Sequence, residues 1–428
     1  MLYYLIQKNT LLKKTILALA LNAGLTFFSE NTYLQLTTPN PAYQQLQTDL
    51  LIDAELWSNK PAILCANWAF EGIIGVGSAS SNEVIAAGGA WENLSTSNTN
   101  TPLRAFTSAA STDAAFNAYG TNLNFADAMP IVFTWPVLPS TVAADDFQLI
   151  LNTGETVTPQ GASICPNYQY NARNTVVIIG QFGNRLSAGE TNAIYPVQIN
   201  VVKNLKLVGP KGPVSAAGMS VLSVSSGYTR GGPKLVGAKI TLMETNGDNA
   251  PFLWSGSLPN DGITLYGTNN AQYRIRLLTS GGMSPDGVRS MYPTEYASYF
   301  RIRVLDGSTQ IWLTQTGTNY ATSKGNIQVV GLANLGPKQD SYDDSYVEDH
   351  NNQIDIVLKG DRAAMHLIKQ LEIPASGSYS PLYNPGGPGN NPTPEVIYTS
   401  EGPYQIIDIA DEINRHYTVS YNPLHLQP

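Results

Sequence analysis

The stretch Met129-Pro130-Ile131-Val132-Phe133-Thr134-Trp135-Pro136-Val137 decides the fold class. It is almost wholly apolar and carries β-branched and aromatic side chains, which fit a pleated, half-buried surface. The run therefore reads as a strand. Its prolines lack the N–H that a ladder needs, so an edge strand or a bulged one is expected. Next come Phe147-Gln148-Leu149-Ile150-Leu151, with Phe147, Leu149 and Leu151 at alternate positions, and the turn Asn152-Thr153-Gly154. Residues 175–179 and 195–202 supply two more apolar strands. Short strands at intervals of about ten residues, with turn residues between them, predict a β-sandwich.

The order of this region, a Trp-Pro-Val strand end, Pro139-Ser140-Thr141-Val142, a Phe-x-Leu strand from Phe147 and Asn152-Thr153-Gly154, resembles the bacterial Ig-like domains of surface-layer proteins and adhesins. The resemblance covers residues 128–202 and implies a spacer architecture without catalytic residues. The segment from Asn167 to Arg173 departs from it, being longer and more aromatic than a spacer needs.

Beyond residue 203 the β pattern continues. Tyr273-Arg274-Ile275-Arg276-Leu277-Leu278 and Arg301-Ile302-Arg303-Val304-Leu305 both alternate arginine with apolar residues. Each predicts a strand with one buried face and one face bearing arginine. Asn246-Gly247, Asp261-Gly262, Asp286-Gly287 and Asp306-Gly307 are turn dipeptides. Two helices are expected. One covers residues 40–58, where Leu46, Leu50, Leu51, Ala54 and Trp57 fall at helical spacing. The other is a short one over 361–371, capped by Asp361. Residues 384–394 hold too much Pro and Gly for a ladder and read as a loop or arm. The fold class is thus all-β: multidomain antiparallel β-sandwiches, Ig-like or jelly-roll-like, with a few short helices. The expected divisions are 1–28, 29–127, 128–205, 206–375 and 376–428.

The 428 residues carry a net charge of -8. An acidic surface repels phosphates, and no basic run is interleaved with aromatics, so nucleic acid is not an expected partner. Lys8, Lys13 and Lys14 precede an apolar run, 15–28, in the form of a secretory signal. No stretch reads as a transmembrane anchor. Cys65 and Cys165 either pair in an oxidising compartment or stay as two buried thiols.

From Asp340 to Asp355 the chain concentrates six carboxylates and His350 in sixteen residues. Oxygen donors of this kind suit a hard cation. Asp340, Asp343, Asp344, Glu348, Asp349 and Asp355 are the candidate metal ligands, and calcium is the preferred ion, because oxygen donors outnumber nitrogen. A solvated acidic loop is the plainer alternative. Tyr342 and Tyr346 flank these acids and would suit stacking on a glycan. The segment lacks the EF-hand frame. No Gly-x-Ser-x-Gly elbow accompanies the four histidines. Paired carboxylates for glycoside hydrolysis, among Asp286, Glu295, Asp343 and Glu348, remain an arrangement that sequence does not place. The expected function is an exported, β-rich structural or binding protein at a cell surface, stabilised by calcium. The alternatives are a calcium-dependent carbohydrate-binding protein and a secreted hydrolase. A glycan or a second copy of the chain is the expected partner.

Overall fold

The computed structural model describes residues 41–66, 71–76, 82, 91–94, 103–106, 109–123, 126–183, 189, 191–222, 234–254, 262–283, 285, 290–336, 352–382 and 404–425. All of them lie in the compact unit Pro39–Pro428. In the first half, strands β1 (Leu51–Glu55), β2 (Ile63–Ala66) and β3 (Glu71–Val76) are followed by the hairpin β4 (Trp91–Leu94) and β5 (Leu103–Phe106). Then come β6 (Ala109–Ser111), the helix Thr112–Tyr119, β7 (Ala126–Phe133), β8 (Phe147–Leu151), β9 (Thr156–Val157) and β10 (Gly161–Ser163). Strands β11 (Thr175–Gly180), β12 (Pro196–Val201), β13 (Lys206–Gly209), β14 (Gly212–Ser215) and β15 (Ser220–Leu222) complete it.

The second half holds β16 (Leu235–Leu242), β17 (Tyr273–Thr279), β18 (Arg301–Asp306), β19 (Thr309–Leu313), β20 (Tyr320–Thr322) and β21 (Gly325–Ala333). It ends with β22 (Gln353–Gly360), β23 (Ile368–Ile373), β24 (Gln405–Asp408), β25 (Ala410–Asp411) and β26 (Thr418–Tyr421).

These strands make two sandwiches. In the first, the sheet β10-β11-β7-β3-β6, with β2 also on β7, faces the sheet β15-β12-β8-β9. Met129, Ile131 and Phe133 of β7 and Val176 and Ile178 of β11 pack on Phe147, Leu149, Ile199 and Val201 from the opposite sheet. Each such side chain contributes about 1.5–3 kcal/mol by leaving water. In the second sandwich, the sheet β20-β21-β22-β17-β16-β25 faces β19-β18-β23-β24. Ile275, Leu277, Ile354, Ile356 and Leu358 there meet Ile302, Val304, Leu371 and Ile373. Among the described residues the ladders are antiparallel except β3–β6 and β16–β25. The chain is mostly β, as its pattern predicts.

The sandwiches also meet each other. Val132 points from β7 away from its own core and packs with Cys65 against Leu278 of β17. The expected boundary at 127/128 falls inside a sheet, since β2, β3 and β6 join β7. The one at 375/376 does the same, since β24 pairs with β23.

Three local expectations are corrected. The strand with Pro130 is central, not an edge; of the two expectations the bulged one fits, since its pairings with β2 and β3 both shift register. It tolerates proline because its pairing on one side passes from β2, which reaches Ile131, to β3, which begins at Ala128; neither pairs with Pro130. The helix expected over 40–58 covers only Pro41–Leu46, and Leu51–Glu55 is β1, antiparallel to β26. So short a helix has little stability of its own, whereas pairing with the chain's last strand satisfies the backbone and buries Leu51 and Ala54. The helix expected over 361–371 is a single turn, Arg362–Met365, before β23. The Asp361 carboxylate does not cap it; it accepts from the Asn326 N–H at 2.7 Å. Cys65 and Cys165 form no disulfide with each other and are both buried, and burial pushes the Cys65 thiol up to about 12.

Trp135 of the deciding stretch is buried, donates to the Ser58 carbonyl at 2.8 Å and packs closely on Gly209. A Cβ at position 209 would stand 2.1 Å from the Trp135 ring. Overpacking of this kind costs about 1–3 kcal/mol. Gly209→Ala is therefore expected to lower the free energy of denaturant unfolding by that amount; an unchanged value would show that the ring yields freely.

Candidate functional site

The site begins with β17. Its alternation sends Tyr273, Ile275 and Leu277 into the second core and Arg274 and Arg276 to the opposite face of the sheet. That face is not open to water. The Arg274 and Arg276 side chains are 2% and 0% exposed. In register, Lys239 of β16 lies opposite Arg276, which lies opposite Asp355 of β22. Two cations side by side across strands repel. Burial away from water would sharpen that repulsion.

Glu55, at the end of β1, resolves it. Its Oε2 is 3.0 Å from Lys239 Nζ, and its Oε1 is 3.1 Å from both Arg274 Nη2 and Arg276 Nη1. Asp355 takes the Arg276 fork two-pronged, at 2.8 Å from Nε and 2.7 Å from Nη2. Asp248 bridges the two arginines, 2.6 Å from Arg274 Nη1 and 2.8 Å from Arg276 Nη2. Lys239 Nζ also sits 4.2 Å over the Trp57 ring and donates to the Leu56 carbonyl at 3.2 Å. His416, following β25, closes the rim between Glu55 at 3.4 Å and Glu244 at 3.2 Å.

Local sequence explains two of these placements. The turn Asn246–Asp248 presses on β1: a Cβ on Gly247 would come within 2.4 Å of the Asp53 carbonyl oxygen. Only glycine permits that approach, and it carries Asp248 to the arginines. The segment Asn167–Arg173, marked in the sequence as a departure from a spacer, forms the socket. Asn171 donates to Asp248, the Tyr170 N–H donates to the Asn249 carbonyl, and Tyr168 stacks on Trp254 with centroids 4.3 Å apart.

The electrostatics follow from burial and pairing. Burial pushes the Glu55 carboxyl up, but Lys239, Arg276 and Arg274, with a hydrogen bond from His416, hold it well below the usual range. Asp248 is likewise lowered, its burial outweighed by Arg274 and Arg276. Burial resists the charged form of Arg276, yet Asp248, Asp355 and Glu55 raise it well above its ordinary value. Glu412, 4.0 Å from Lys239, moves the other way, raised chiefly by burial. Three cations thus meet three carboxylates that are at most 3% exposed. A catalytic acid or base needs a face that substrate can reach. Here those carboxylates are buried and paired with arginine or lysine.

Of the acids expected to bind a cation, Asp355 belongs to this layer, and both its oxygens are taken up by Arg276. Asp340, Asp343, Asp344, Glu348, Asp349, Tyr342 and Tyr346 lie outside the described residues, as does Asp286. Glu295 is described, and its carboxylate accepts from the Tyr292 N–H at 2.7 Å. Among the described residues, no group of three or more His, Cys, Asp and Glu is arranged to hold a metal ion. No described helix is long and apolar enough to cross a membrane. Sequence reasoning passed over Glu55, Lys239 and Asp248. The available signal was the pair Arg274 and Arg276, read only as the arginine-bearing face of a strand whose other face is buried. Scans against protein-family models, curated proteins and solved structures return no match for the chain.

Removing one partner of a buried ion group strands the charges left behind, at about 3–5 kcal/mol. Glu55→Gln is expected to lower unfolding free energy by that amount in urea. A loss below about 1 kcal/mol would mean that other groups neutralise Lys239 and Arg276. The pH dependence has a definite sign. Glu55 and Asp248 have depressed values in the folded chain, so their contribution is present above about pH 4.5 and is lost as pH falls through the folded values. Glu412, with a raised value, contributes oppositely: its share is present at low pH and is lost as pH rises through that value. Urea unfolding between about pH 6 and about pH 2 should therefore show stability falling below about pH 4. The fall should be steeper in the native chain than in Glu55→Gln. Equal slopes would remove Glu55 from the account.

Proposed function

We propose that the chain is an exported structural or binding protein at a cell surface, built as two β-sandwiches locked into one rigid body. The observation that carries this reading is the ion layer. Its carboxylates are all answered by arginine or lysine and are at most 3% exposed. Buried charge of this sort is a costly way to gain stability but an effective way to fix one arrangement of two surfaces. A body of fixed shape is what a spacer or a binding platform requires. A hydrolase would need two acids convergent on an open site, and the buried acids described above are committed to one another's cations. The basic and apolar run ahead of Phe28 supports export.

The test is protease shaving of intact cells that express the full chain, followed by immunoblotting. Digestion from outside, with a cytoplasmic marker left intact, is the expected result. Protection until the cells are lysed, with no protein in the medium, would overturn the surface reading.

A further inference from the structure

The second sandwich ends in a strand with one open side. β19 (Thr309–Leu313) pairs with β18 and, among the described residues, with no strand beyond it. The turn Gly307-Ser308 joins the two strands and sets Asp306 opposite Thr309. In a hairpin of this kind the closing pair exchanges ladder bonds, and so does every second pair after it. Thr309, Ile311 and Leu313 therefore bond back to β18, while Gln310 and Trp312 turn their N–H and C=O groups outward. Leu305, opposite Gln310, agrees: its N–H points away from β19 and donates to the Leu367 carbonyl at 2.9 Å.

An open edge is a template for another strand, and proteins commonly blunt it with lysine, proline, a bulge or brevity. Brevity serves elsewhere in this chain. The other described edge strands of the six- and four-stranded sheets are two to four residues long. β19 has five residues, Thr309-Gln310-Ile311-Trp312-Leu313, with no proline and no charge. Its ladder with β18 runs without a register shift, and Thr309 and Gln310 are exposed.

We propose that β19 is a dimerisation edge, whose occupant is β19 of a second copy of this chain. Two copies placed antiparallel about a two-fold axis at Ile311 set Gln310 of each opposite Trp312 of the other. Those are the residues whose backbone groups face outward, so each such pair exchanges both of its N–H···O=C bonds. The two Ile311 side chains meet on the axis, beside the second core on which each packs. No like charges oppose one another, because the strand carries none. The sheet β19-β18-β23-β24 then continues from one copy into the other. A strand from another protein would satisfy one edge. Self-pairing satisfies two, and an isologous contact stops at the dimer. The edge is separate from the ion layer, and its use does not depend on where the protein resides. A monomeric chain would leave the surface reading standing.

The experiment is sedimentation velocity of the full chain over a concentration series. A dimer fraction that grows with concentration is expected. Gln310→Pro removes an outward N–H and leaves the bonds to β18 in place. It should weaken the dimer about tenfold or more, with an unchanged melting midpoint in dilute solution. Ile311→Cys sets two thiols across the axis at a spacing that a disulfide spans, so mild oxidation should give a covalent dimer on a non-reducing gel. Thr309→Cys, which meets Leu313 rather than itself, should not. If the proline variant melts early, the cysteine pair decides alone. A monomer at every concentration, an undiminished dimer in a well-folded Gln310→Pro, or equal cross-linking of the two cysteine variants would each overturn the proposal. So would a monomeric chain whose Ile311→Cys variant cross-links to a different protein, which would give the edge another occupant.

Discussion

Lys239 and Arg276 stand opposite each other on neighbouring strands, in a layer that water does not enter. That juxtaposition is the constraint on which the second half of the structure depends. Left alone, it would push β16 and β17 apart. Glu55 reaches both cations from a strand 184 and 221 residues away in sequence. Glu55 can do so because β1, which packs on the first core through Leu51 and Ala54, pairs with β26, the last of the described strands. The ribbon β1–β26 joins the two ends of the described chain and delivers the carboxylate in the same stroke. Ordering such distant segments costs chain entropy that local contacts do not recover. The ion layer and the apolar contact of Val132, Cys65 and Leu278 lie at the place where that cost must be offset.

The consequence is a sheet buried on both faces. An antiparallel sheet commonly keeps one face wet, yet all seven residues of β17 are buried. One face is apolar and closes the second sandwich. The other carries ions and amides and meets the first sandwich through Asn352 on Thr175, at 3.3 Å, and Gln353 on the Asn171 carbonyl, at 3.1 Å. Polar contacts of this kind are directional. They hold only in one relative placement of the two bodies, whereas apolar surfaces slide.

Much of the architecture was legible locally. The strands around Phe133, Leu149, Val177 and Ile199 follow from apolar alternation and turn residues. Those around Ile275 and Ile302 follow from arginine alternating with apolar residues. What local reading missed was set by distant partners. Residues 51–55 have helical spacing but become a strand, because β26 offers a ladder and Glu55 a destination. Pro130 forbids a ladder bond at one position, which announces an irregular strand; that the fold meets it by changing partner strands there is set by β2 and β3. The acidic stretch drew attention by density of charge. Asp355, the one member described, turned out to be bonded to an arginine 79 residues away.

Arg274-Ile275-Arg276 and Arg301-Ile302-Arg303 show where the limit lies. The two triplets are identical in sequence, both sit in β-strands, and both send isoleucine into the same core. In β17 the arginines face another sandwich, so each needs carboxylates and becomes part of a closed network. In β18 they face outward; Arg301 is held by Glu372 and the Trp312 ring, while Arg303 has no carboxylate of the described residues within ion-pair distance. Side-chain pattern determines which face of a strand is apolar. Whether the polar face becomes a lock or a surface is decided by what the remainder of the chain brings to it, and here β1 brings Glu55 to one triplet while no described element brings an acid to Arg303.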